Sequence, residues 1–314
     1  MSVKAEILKV TPPAIREAWR KKKYHRQEAL APDKYPVELA RWFKKATGED
    51  LDLENPVTFN QKIQWLKLYD STPEKGRLAD KYLVREYVAE RIGERYLVPL
   101  LGAWDDPDDI DFDALPDRFV LKATHGCGWN IIVRDKSQLD IPATRKKLRK
   151  WLDTDWAYVG GLELHYHYCE PRIVAEQFLE NTVGGGSDLY DYKFWCFGGR
   201  CEYVMFLEGR AQGLHMSFYD RDWKLQDFVY SFPRVDRPVP RPSNLDEMIG
   251  LAERLADGLS HARVDLYRLD DGTLYFGEMT FTSCSGGCKW EPTEANHQMG
   301  QLLKLPHARQ EFVK

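Results

Sequence analysis

The sequence predicts an α+β fold, in which a helical N-terminal region precedes a part that mixes strands and helices. Apolar residues recur at helical spacing through roughly the first 95 residues. From Asp117 onward, short apolar strands come in pairs that are joined by glycine-containing turns. Because such hairpins require antiparallel pairing, a purely parallel doubly wound sheet is not expected.

Two helices stand out in the N-terminal region. The first follows Asn55-Pro56, and the second ends at Gly93, a residue type that often terminates helices. Their apolar residues are spaced as one face of a helix requires: Phe59, Ile63 and Leu66 in the first, and Val84, Val88 and Ile92 in the second.

The middle of the chain begins with a hairpin. Phe119–Ala123 is a short apolar strand, Gly126-Cys127-Gly128 is its flexible tip, and Asn130–Val133 is the returning strand. Further on, Lys146–Leu152 predicts a helix and Arg172–Leu179 predicts a buried strand.

Two more hairpins follow. Tyr192–Phe197 and Cys201–Leu207 are joined by a two-glycine turn. Ala262–Leu269 and Leu274–Phe281 are joined by a turn that ends in Gly272. These pairs predict antiparallel strands that lie side by side.

A loop and a helix separate the two hairpins. The proline-rich run Pro233–Pro242 predicts the loop. Asn244 and Glu247 are spaced as an N-cap residue and its capping-box partner, so they predict the start of a helix. The apolar face of that helix consists of Met248, Leu251, Leu255 and Leu259.

Length and charge exclude several classes of protein. The chain has 314 residues and a net charge of −4, whereas a general nucleic-acid binder needs a basic face. No apolar run is long enough for a membrane span, and the N-terminal segment has neither the apolar core nor the cleavage site of a signal peptide. We therefore expect a cytoplasmic protein whose six cysteines are reduced.

Common nucleotide-binding and metalloprotease motifs are absent from the sequence. It contains no G-x-x-x-x-G-K-[ST] loop, no G-x-G-x-x-G motif after a strand and no H-E-x-x-H motif. A nucleotide would have to be held in another way.

The clustered histidines and cysteines do not predict a zinc site. His165, His167 and Cys169 lie far in sequence from Cys284 and Cys288, and structural zinc usually requires two close ligand pairs with tighter spacing. We expect Cys284 and Cys288 to be free thiols that are not essential.

Lys122 stands inside an apolar strand, four residues before the glycine tip begins. A lysine in such a position is costly unless an anion lies near it, and glycines let backbone N–H groups approach phosphate oxygens closely. Lysine and tip together predict a phosphate clamp. The alternative is a lysine on an edge strand that reaches water beside an ordinary turn.

Asp265 and Glu278 are carboxylates in the interiors of the two strands of the last hairpin. A two- or four-residue loop would place them on one face, whereas a three-residue loop would place them on opposite faces. Two like charges on one face repel unless a cation lies between them, and Mg²⁺ is commonly held by one or two carboxylates together with substrate phosphates. The alternative is a structural ion pair between Arg263 and Asp265.

Glu176, Asp191 and Lys193 are weaker candidates when taken alone. Strand alternation places Asp191 and Lys193 on one face, opposite Tyr192 and Phe194. A surface strand with alternating polar residues would explain the same pattern.

Taken together in this order, the stretches resemble the TupA-like family of the ATP-grasp superfamily, which is associated with the assembly of cell-surface polysaccharide and teichuronopeptide. The resemblance covers roughly Lys34 to Gly300. It rests on the following stretches: Asn55–Leu66, Ala79–Tyr82, Lys122–Asn130, Pro171–Leu179, Asp191–Phe194, Phe218–Asp220, Arg263–Tyr267 and Tyr275–Phe281.

The resemblance implies an ATP-grasp fold, in which two α+β subdomains clasp ATP between antiparallel sheets. Lys81 and Lys122 would contact the phosphates, and Asp191 would lie on the nucleotide side. A mobile loop over the phosphates would be formed by Gly126, Cys127 and Gly128. The hinge against adenine would be formed by Glu176, Gln177, Phe178 and Leu179.

The resemblance also implies the catalytic groups. Asp265 and Glu278 match the magnesium ligands of the family. Thr280 stands where many ATP-grasp enzymes have asparagine, and its hydroxyl can ligate a metal or hold a water. The basic residues near the γ-phosphate and the acceptor would be Lys122, Lys193, Arg210 and Arg263.

The N-terminal region departs from the family pattern, because the usual α/β domain that often helps to bind the carboxylate substrate is not evident. We expect three parts: a helical N-terminal region at residues 1–95, a small ATP-grasp subdomain with the glycine-rich loop at 96–180, and a large subdomain with the metal site at 181–314.

The activity implied by the resemblance is an ATP- and Mg²⁺-dependent carboxylate–amine ligase that forms ADP through an acyl phosphate. Its substrates would be an amine and a small-molecule or saccharide carboxylate, such as a uronic acid of a capsule or similar polysaccharide, and glycosyltransferases of that pathway would be its partners. One alternative is a kinase of the same fold for a sugar or other hydroxyl. Another is a catalytically inactive, nucleotide-binding partner of a glycosyltransferase, against which Lys122, Asp265 and Glu278 argue.

Overall fold

The computed structural model describes residues 12–180, 189–209, 213–310 and 312. Within these ranges the chain has eight α-helices, five of which precede the first strand. They are α1 (Pro13–Glu28), α2 (Tyr35–Thr47), α3 (Phe59–Tyr69), α4 (Pro73–Ala79), α5 (Val84–Arg91), α6 (Ile141–Leu152), α7 (Leu245–Ala256) and α8 (Glu294–Leu302).

The predicted N-terminal helices are present, and local sequence explains their ends. Thr58 and Gln61 form a capping box at the start of α3, where the Thr58 side chain accepts from the Gln61 backbone N–H. Pro73 occupies the first position of α4, which proline tolerates because that N–H has no partner within a helix. Gly93, just after α5, has a positive φ of 108°, as expected for a residue that ends a helix.

A four-stranded antiparallel sheet follows the helical region. Its strands are β1 (Leu100–Trp104), β2 (Phe119–Ala123), β3 (Asn130–Val133) and β4 (Ile173–Gln177), in the order β1-β4-β2-β3. One face, including Phe119 and Leu121, packs with Leu148 and Trp151 of α6. The other face carries Lys122 and therefore points away from that core.

A five-stranded antiparallel sheet forms the second half. In the order β10-β9-β5-β6-β7 it contains β5 (Tyr190–Phe197), β6 (Arg200–Glu208), β7 (His215–Tyr219), β9 (His261–Arg268) and β10 (Leu274–Thr280). A two-stranded ribbon pairs β8 (Val229–Tyr230) with β11 (Trp290–Glu291). Gly198 and Gly199 both have positive φ, as the tight β5–β6 turn requires.

The two faces of the five-stranded sheet are covered differently. Phe194 and Val264 on one face pack with the apolar side of α7. On the other face, Trp195 and Phe197 contact Phe59 of α3. Because α3 and α8 cover only part of this second face, the remainder is free to face the four-stranded sheet.

The hairpin between β9 and β10 contains a bulge that decides which residues share a face. Leu269 and Thr273 are hydrogen-bonded, so the loop between them has three residues, the length for which opposite faces were predicted. The register then shifts by one at Gly277, and Glu278 comes to lie directly opposite Asp265. A Cβ on Gly277 would lie 3.1 Å from the Asp265 carbonyl oxygen, so glycine suits this position.

Several details differ from the sequence-based expectations. Leu259, predicted on the apolar face of α7, lies beyond the end of that helix at Ala256. Asn244 does precede α7, but its side chain makes no capping bond; it donates to the Gly272 carbonyl and accepts from Arg268, while Glu247 accepts from the Tyr96 hydroxyl. The capping-box interpretation was therefore wrong, because tertiary partners outcompete the local one. The strand predicted at Arg172–Leu179 is shorter and ends at Gln177.

None of the helices in the described ranges is long and apolar enough to cross a membrane.

Candidate active site

Charged side chains from both sheets converge where the sheets face each other. The four-stranded sheet contributes Lys122 and Glu176, which lie on the same face. The five-stranded sheet contributes Asp191, Lys193, Arg263 and Asp265 from β5 and β9, and Glu278 and Thr280 from β10. Four of these eight side chains are buried and the other four are partly buried, so their charges interact more strongly than they would in water.

Arg263 links the two carboxylates of the β9–β10 hairpin. Its Nε lies 2.7 Å from Asp265 Oδ1, and its Nη2 lies 2.8 Å from Asp265 Oδ2 and 2.9 Å from Glu278 Oε1. The ion pair between Arg263 and Asp265, posed as an alternative to a metal site, therefore exists. The same geometry places both carboxylates within reach of one shared cation.

Lys193 adds a second cation to the Asp265 side of the cluster. It donates to Asp265 and lies 2.9 Å from Asp191 Oδ2. Burial alone would lower the pKa of Lys193, but the negative charges of Asp191 and Asp265 outweigh it and raise that pKa. The side chain therefore stays charged at neutral pH.

Glu278 is ionised in this environment. Burial would raise the pKa of its carboxyl group, but the positive charges of Lys81, Arg263 and Lys193 outweigh burial and lower the pKa to about 2. Thr280, two residues on, donates to Glu278 Oε1 over 3.1 Å. Both described hydrogen bonds to Glu278 end on the same oxygen.

On the opposite sheet, Lys122 pairs with Glu176 over 2.5 Å. The water-reaching lysine considered above is excluded, because the Lys122 side chain is 15% exposed and has an anionic partner. Burial would lower the pKa of Lys122, but Glu176 and Tyr267 raise it to about 12. Arg85 of α5 lies 3.8 Å from the other oxygen of Glu176.

The glycine tip lies beside Lys81. Lys81 Nζ donates to the Gly126 carbonyl over 2.6 Å, and its backbone N–H donates to Thr124. Gly128 has a positive φ of 70°, which favours glycine, whereas Gly126 is required for space: a Cβ there would lie 2.7 Å from the Trp129 ring. The tip is thus pinned near the Lys81 charge.

The segment predicted as the adenine hinge leaves the four-stranded sheet at the end of β4, which is an interior strand. The Gln177 backbone N–H is bonded to the Pro99 carbonyl, so this group is engaged with β1. Phe178 lies under the guanidinium groups of Arg118 and Arg134, and Leu179 follows it half-buried. Arg210, the remaining predicted catalytic residue, lies outside the described residues.

Asp265 and Glu278 alone supply only part of the ligand shell that a divalent cation needs. Within the described ranges, no group of three or more His, Cys, Asp or Glu residues is arranged to hold a metal ion. Asp265 and Glu278 do share the guanidinium of Arg263, and Mg²⁺ typically takes one or two protein carboxylates and completes its shell with phosphate oxygens and waters. The donor set therefore fits magnesium that arrives with a phosphate ligand.

Three residues near the cluster were not singled out from the sequence. Arg85 stands on a helix with no distinguishing motif, and Tyr267 is two positions beyond the predicted acid, Asp265. Glu163 is a buried carboxylate in a loop, where it accepts from Trp156 over 3.2 Å and from Thr282. A charged residue within the apolar segment Ala157–Leu164 was the one signal that could have revealed Glu163.

Helix α3 fixes the loop that follows the β10 carboxylate strand. Gln64 donates to the carbonyls of Ser285 and Gly286 over 3.1 and 2.9 Å. Lys67, fully buried, donates to Ser285 Oγ and to the Gly161 carbonyl, each over 2.7 Å. The helical N-terminal region thus shapes one end of the cleft.

All six cysteines are free, and two of them, Cys127 and Cys284, differ in acidity. Hydrogen bonds from Cys288 and Tyr230 and the positive charge of Arg263 lower the pKa of Cys284 to about 7. Removal from water and the charges of Glu278 and Glu163 raise the pKa of Cys127 to about 11.

Because the thiolate is the nucleophile, we expect iodoacetamide to alkylate Cys284 at pH 7.5 on the order of a hundredfold faster than Cys127. The Cys284 rate should be half-maximal near pH 7 and should fall as the pH drops below that value, because the thiolate is lost there. Peptide mass spectrometry measures both rates in one sample, so Cys127 serves as the internal control. A Cys284 midpoint at pH 9 or above would contradict the geometry.

Comparison with known proteins identifies a family. The sequence profile described as TupA-like ATPgrasp matches residues 61–304, well over half of the chain. No curated protein matches the chain in sequence.

Several solved structures are similar at low identity. N5-carboxyaminoimidazole ribonucleotide synthetase in complex with ADP is 14% identical, with a TM-score of 0.41 over 70% of this chain and 50% of that one. D-alanine–D-alanine ligase from Bacillus anthracis is 17% identical, with a TM-score of 0.38 over 65% of this chain and 57% of that one. The chain spans about half the length of the first solved proteins that it matches. Superpositions this loose carry no argument about individual residues.

Proposed function

The chain belongs to the TupA-like ATP-grasp family, and from this premise we propose that it is an ATP-dependent carboxylate–amine ligase. ATP would lie between the two sheets, with its phosphates among the buried cations. A substrate carboxylate would attack the γ-phosphorus, ADP would leave, and an amine would then displace phosphate from the acyl phosphate to give an amide.

The observation that supports this proposal most is the face-to-face arrangement of cations and carboxylates. Lys122 projects from one sheet, and Arg263 with Lys193 projects from the other, where Asp265 and Glu278 hold them. Each of these cations contacts a carboxylate. A triphosphate would offer these cations a new anionic partner in a water-poor cleft.

Partner exchange is the role that we propose for Arg263. It contacts both carboxylates through one guanidinium group, so a cation that took over Asp265 and Glu278 would release it. Magnesium, when bound there with phosphate, would supply the positive charge that offsets the charge of the transferring phosphoryl group. Released Arg263 and Lys193 could then orient the γ-phosphate and the acceptor carboxylate.

We propose the same roles for the other residues as in the sequence-based interpretation. Lys81 and the tip at Gly126–Gly128 would close over the phosphates, and Glu176–Leu179 would border the adenine. We propose divisions of the chain at residues 95 and 180, which the start of β1 at Leu100 and the end of β4 at Gln177 support. The carboxylate is proposed to belong to a uronic acid or a similar saccharide, and the setting to be the cytoplasm.

The experiment that tests the ligase uses trapping of the activated carboxyl group. The protein is incubated with ATP, Mg²⁺, hydroxylamine and pools of uronic acids, amino acids or nucleotide sugars. We expect a hydroxamate, and ADP and phosphate in equal amounts, because hydroxylamine captures the acyl phosphate as the amine would. The Lys122→Met variant serves as the control, which should yield no hydroxamate and no release of ADP and phosphate.

A kinase would give a different set of products. ADP would then appear with a stable phosphorylated product, without hydroxamate and without free phosphate. That result would overturn the ligase in favour of a kinase of the same fold.

A further inference from the structure

The proline-rich loop at Pro233–Pro242 encloses a cavity that the proposed reaction does not use. The cavity has a volume of about 240 Å³ and is bordered by strands β5, β6 and β9. Its charged lining consists of three arginines: Arg237, Arg241 and Arg268.

The cavity lies behind the active site. On β5, Tyr190 and Tyr192 alternate with Asp191, and on β9 Arg268 pairs with Tyr190 in register. The lining residues therefore occupy the face opposite to the one that carries Lys193 and Asp265. A ligand in the cavity would be separated from the cleft by the sheet itself.

Hydrogen bonds and ion pairs hold the three arginines in place, but the carboxylates around them do not fully neutralise their positive charge. Arg268 donates to the neutral oxygens of Asn244 and Leu269, over 2.8 and 3.2 Å. Arg237 pairs with Glu208, and Arg241 pairs with Asp246 over 2.7 Å. The three guanidinium groups thus face three carboxylates: that of Glu208, that of Asp246, which is 81% exposed, and that of the exposed Asp271, whose charge interacts with Arg268. The two exposed carboxylates are weakly bound.

Aromatic rings form the floor of the cavity. Tyr190 and Tyr192 lie against Phe206, with ring centroids 5.9 and 5.3 Å apart. Trp223 lies beside Tyr192 and donates to the Val239 carbonyl over 2.9 Å, which anchors the proline-rich loop over the floor. The floor is thus aromatic, whereas the rim is cationic.

We propose that this cavity binds a small phosphorylated ring compound of the sugar-phosphate class. A phosphate has three terminal oxygens that several guanidinium groups can bind together, whereas a single guanidinium fork is enough for a carboxylate. The aromatic floor offers a surface for the apolar face of a ring. The volume lies below the ~300–1,000 Å³ of drug-sized sites, so the ligand is of the order of one sugar unit.

Calorimetry on the full chain without ATP tests the proposal, with glucose 1-phosphate as the probe. We expect saturable binding that the Arg237→Gln/Arg241→Gln double variant weakens at least tenfold. Both side chains are 41–47% exposed, so the fold should survive, and the melting temperature checks this. Arg91→Gln is the matched control, because Arg91 is 43% exposed and pairs with an exposed aspartate elsewhere. Binding should also persist in Lys122→Met, which separates this cavity from the cleft.

Three further probes decide the chemistry. Glucose, inorganic phosphate and glucuronate each lack one of the recognised features, so each should bind at least tenfold more weakly than glucose 1-phosphate. Equal binding of any of them, no binding of glucose 1-phosphate at millimolar concentration, or the same affinity in the double variant would overturn the proposal.

Discussion

Replacing Glu278 by glutamine is expected to lower turnover by about 10²–10³-fold, while the protein remains folded and still binds ATP. Glutamine keeps the size of the side chain and its contact with Thr280, but an amide is a much poorer magnesium ligand than a carboxylate. It also loses the charge that holds Arg263 between the two strands. The rate of ADP formation under saturating Mg²⁺ measures the effect.

The structure offers a neighbouring control for this variant. Thr280→Val removes one hydrogen bond to Glu278 Oε1 but leaves the carboxylate and Arg263 in place, so we expect it to lose no more than about tenfold. A Glu278→Gln protein that turns over at the normal rate would exclude Glu278 as a metal ligand. A Thr280→Val protein as inactive as Glu278→Gln would show that the hydroxyl itself is a ligand.

Replacing Lys122 by methionine is expected to weaken ATP binding by roughly 10–100-fold, since one charge-assisted contact contributes ~1.5–3 kcal/mol. Methionine fills the same space without charge, and it leaves Glu176 buried, with Arg85 3.8 Å away as a cation. Calorimetry with ATP and Mg²⁺ should show one site in the parent protein.

Glu176 allows the phosphate role of Lys122 to be separated from a purely structural one. If Lys122 binds phosphate, Glu176→Gln frees it and should leave ATP affinity equal or higher. If Lys122 serves only to neutralise Glu176, the double variant Lys122→Met/Glu176→Gln should regain parental affinity, because the buried carboxylate is removed together with its lysine partner. Recovery in the double variant would therefore remove Lys122 from the phosphate site.

Local sequence patterns were sufficient for the main elements of the fold. The helical spacing of Ile63 and Val88 and the glycine turn at Gly198 depend on neighbours in sequence, and the corresponding elements are present. The side-chain partners of Asn244 could not be predicted, because they come from a turn 28 residues away. A sequence pattern indicates the period of a helix or strand, but it does not indicate which distant residue a polar side chain will bind.

The sequence predicts Asp265 and Glu278 on one face of the sheet only if the loop between their strands has two or four residues, and the loop has three. A three-residue loop would have separated them, and only the bulge at Gly277 brings them together. A glycine within a strand is a signal for a bulge, but it does not fix the direction of the register shift. Glu163 and Arg85 could not be assigned for a different reason, since they reach the cluster only through packing between distant segments.

The contact between α3 and α8 has a consequence for how the chain is made. The backbone N–H of Asn60 is bonded to the side chain of Asn296, 236 residues later, and Lys62 donates to the carbonyls of Gly300 and Leu303. At the usual speed of translation, roughly 10–50 s pass between synthesis of the two helices. During that interval the apolar face of α3 lacks its α8 partner on the nascent chain. Contacts between residues so far apart in sequence make folding slow. The packing of α3 is therefore completed only after α8 has been synthesised.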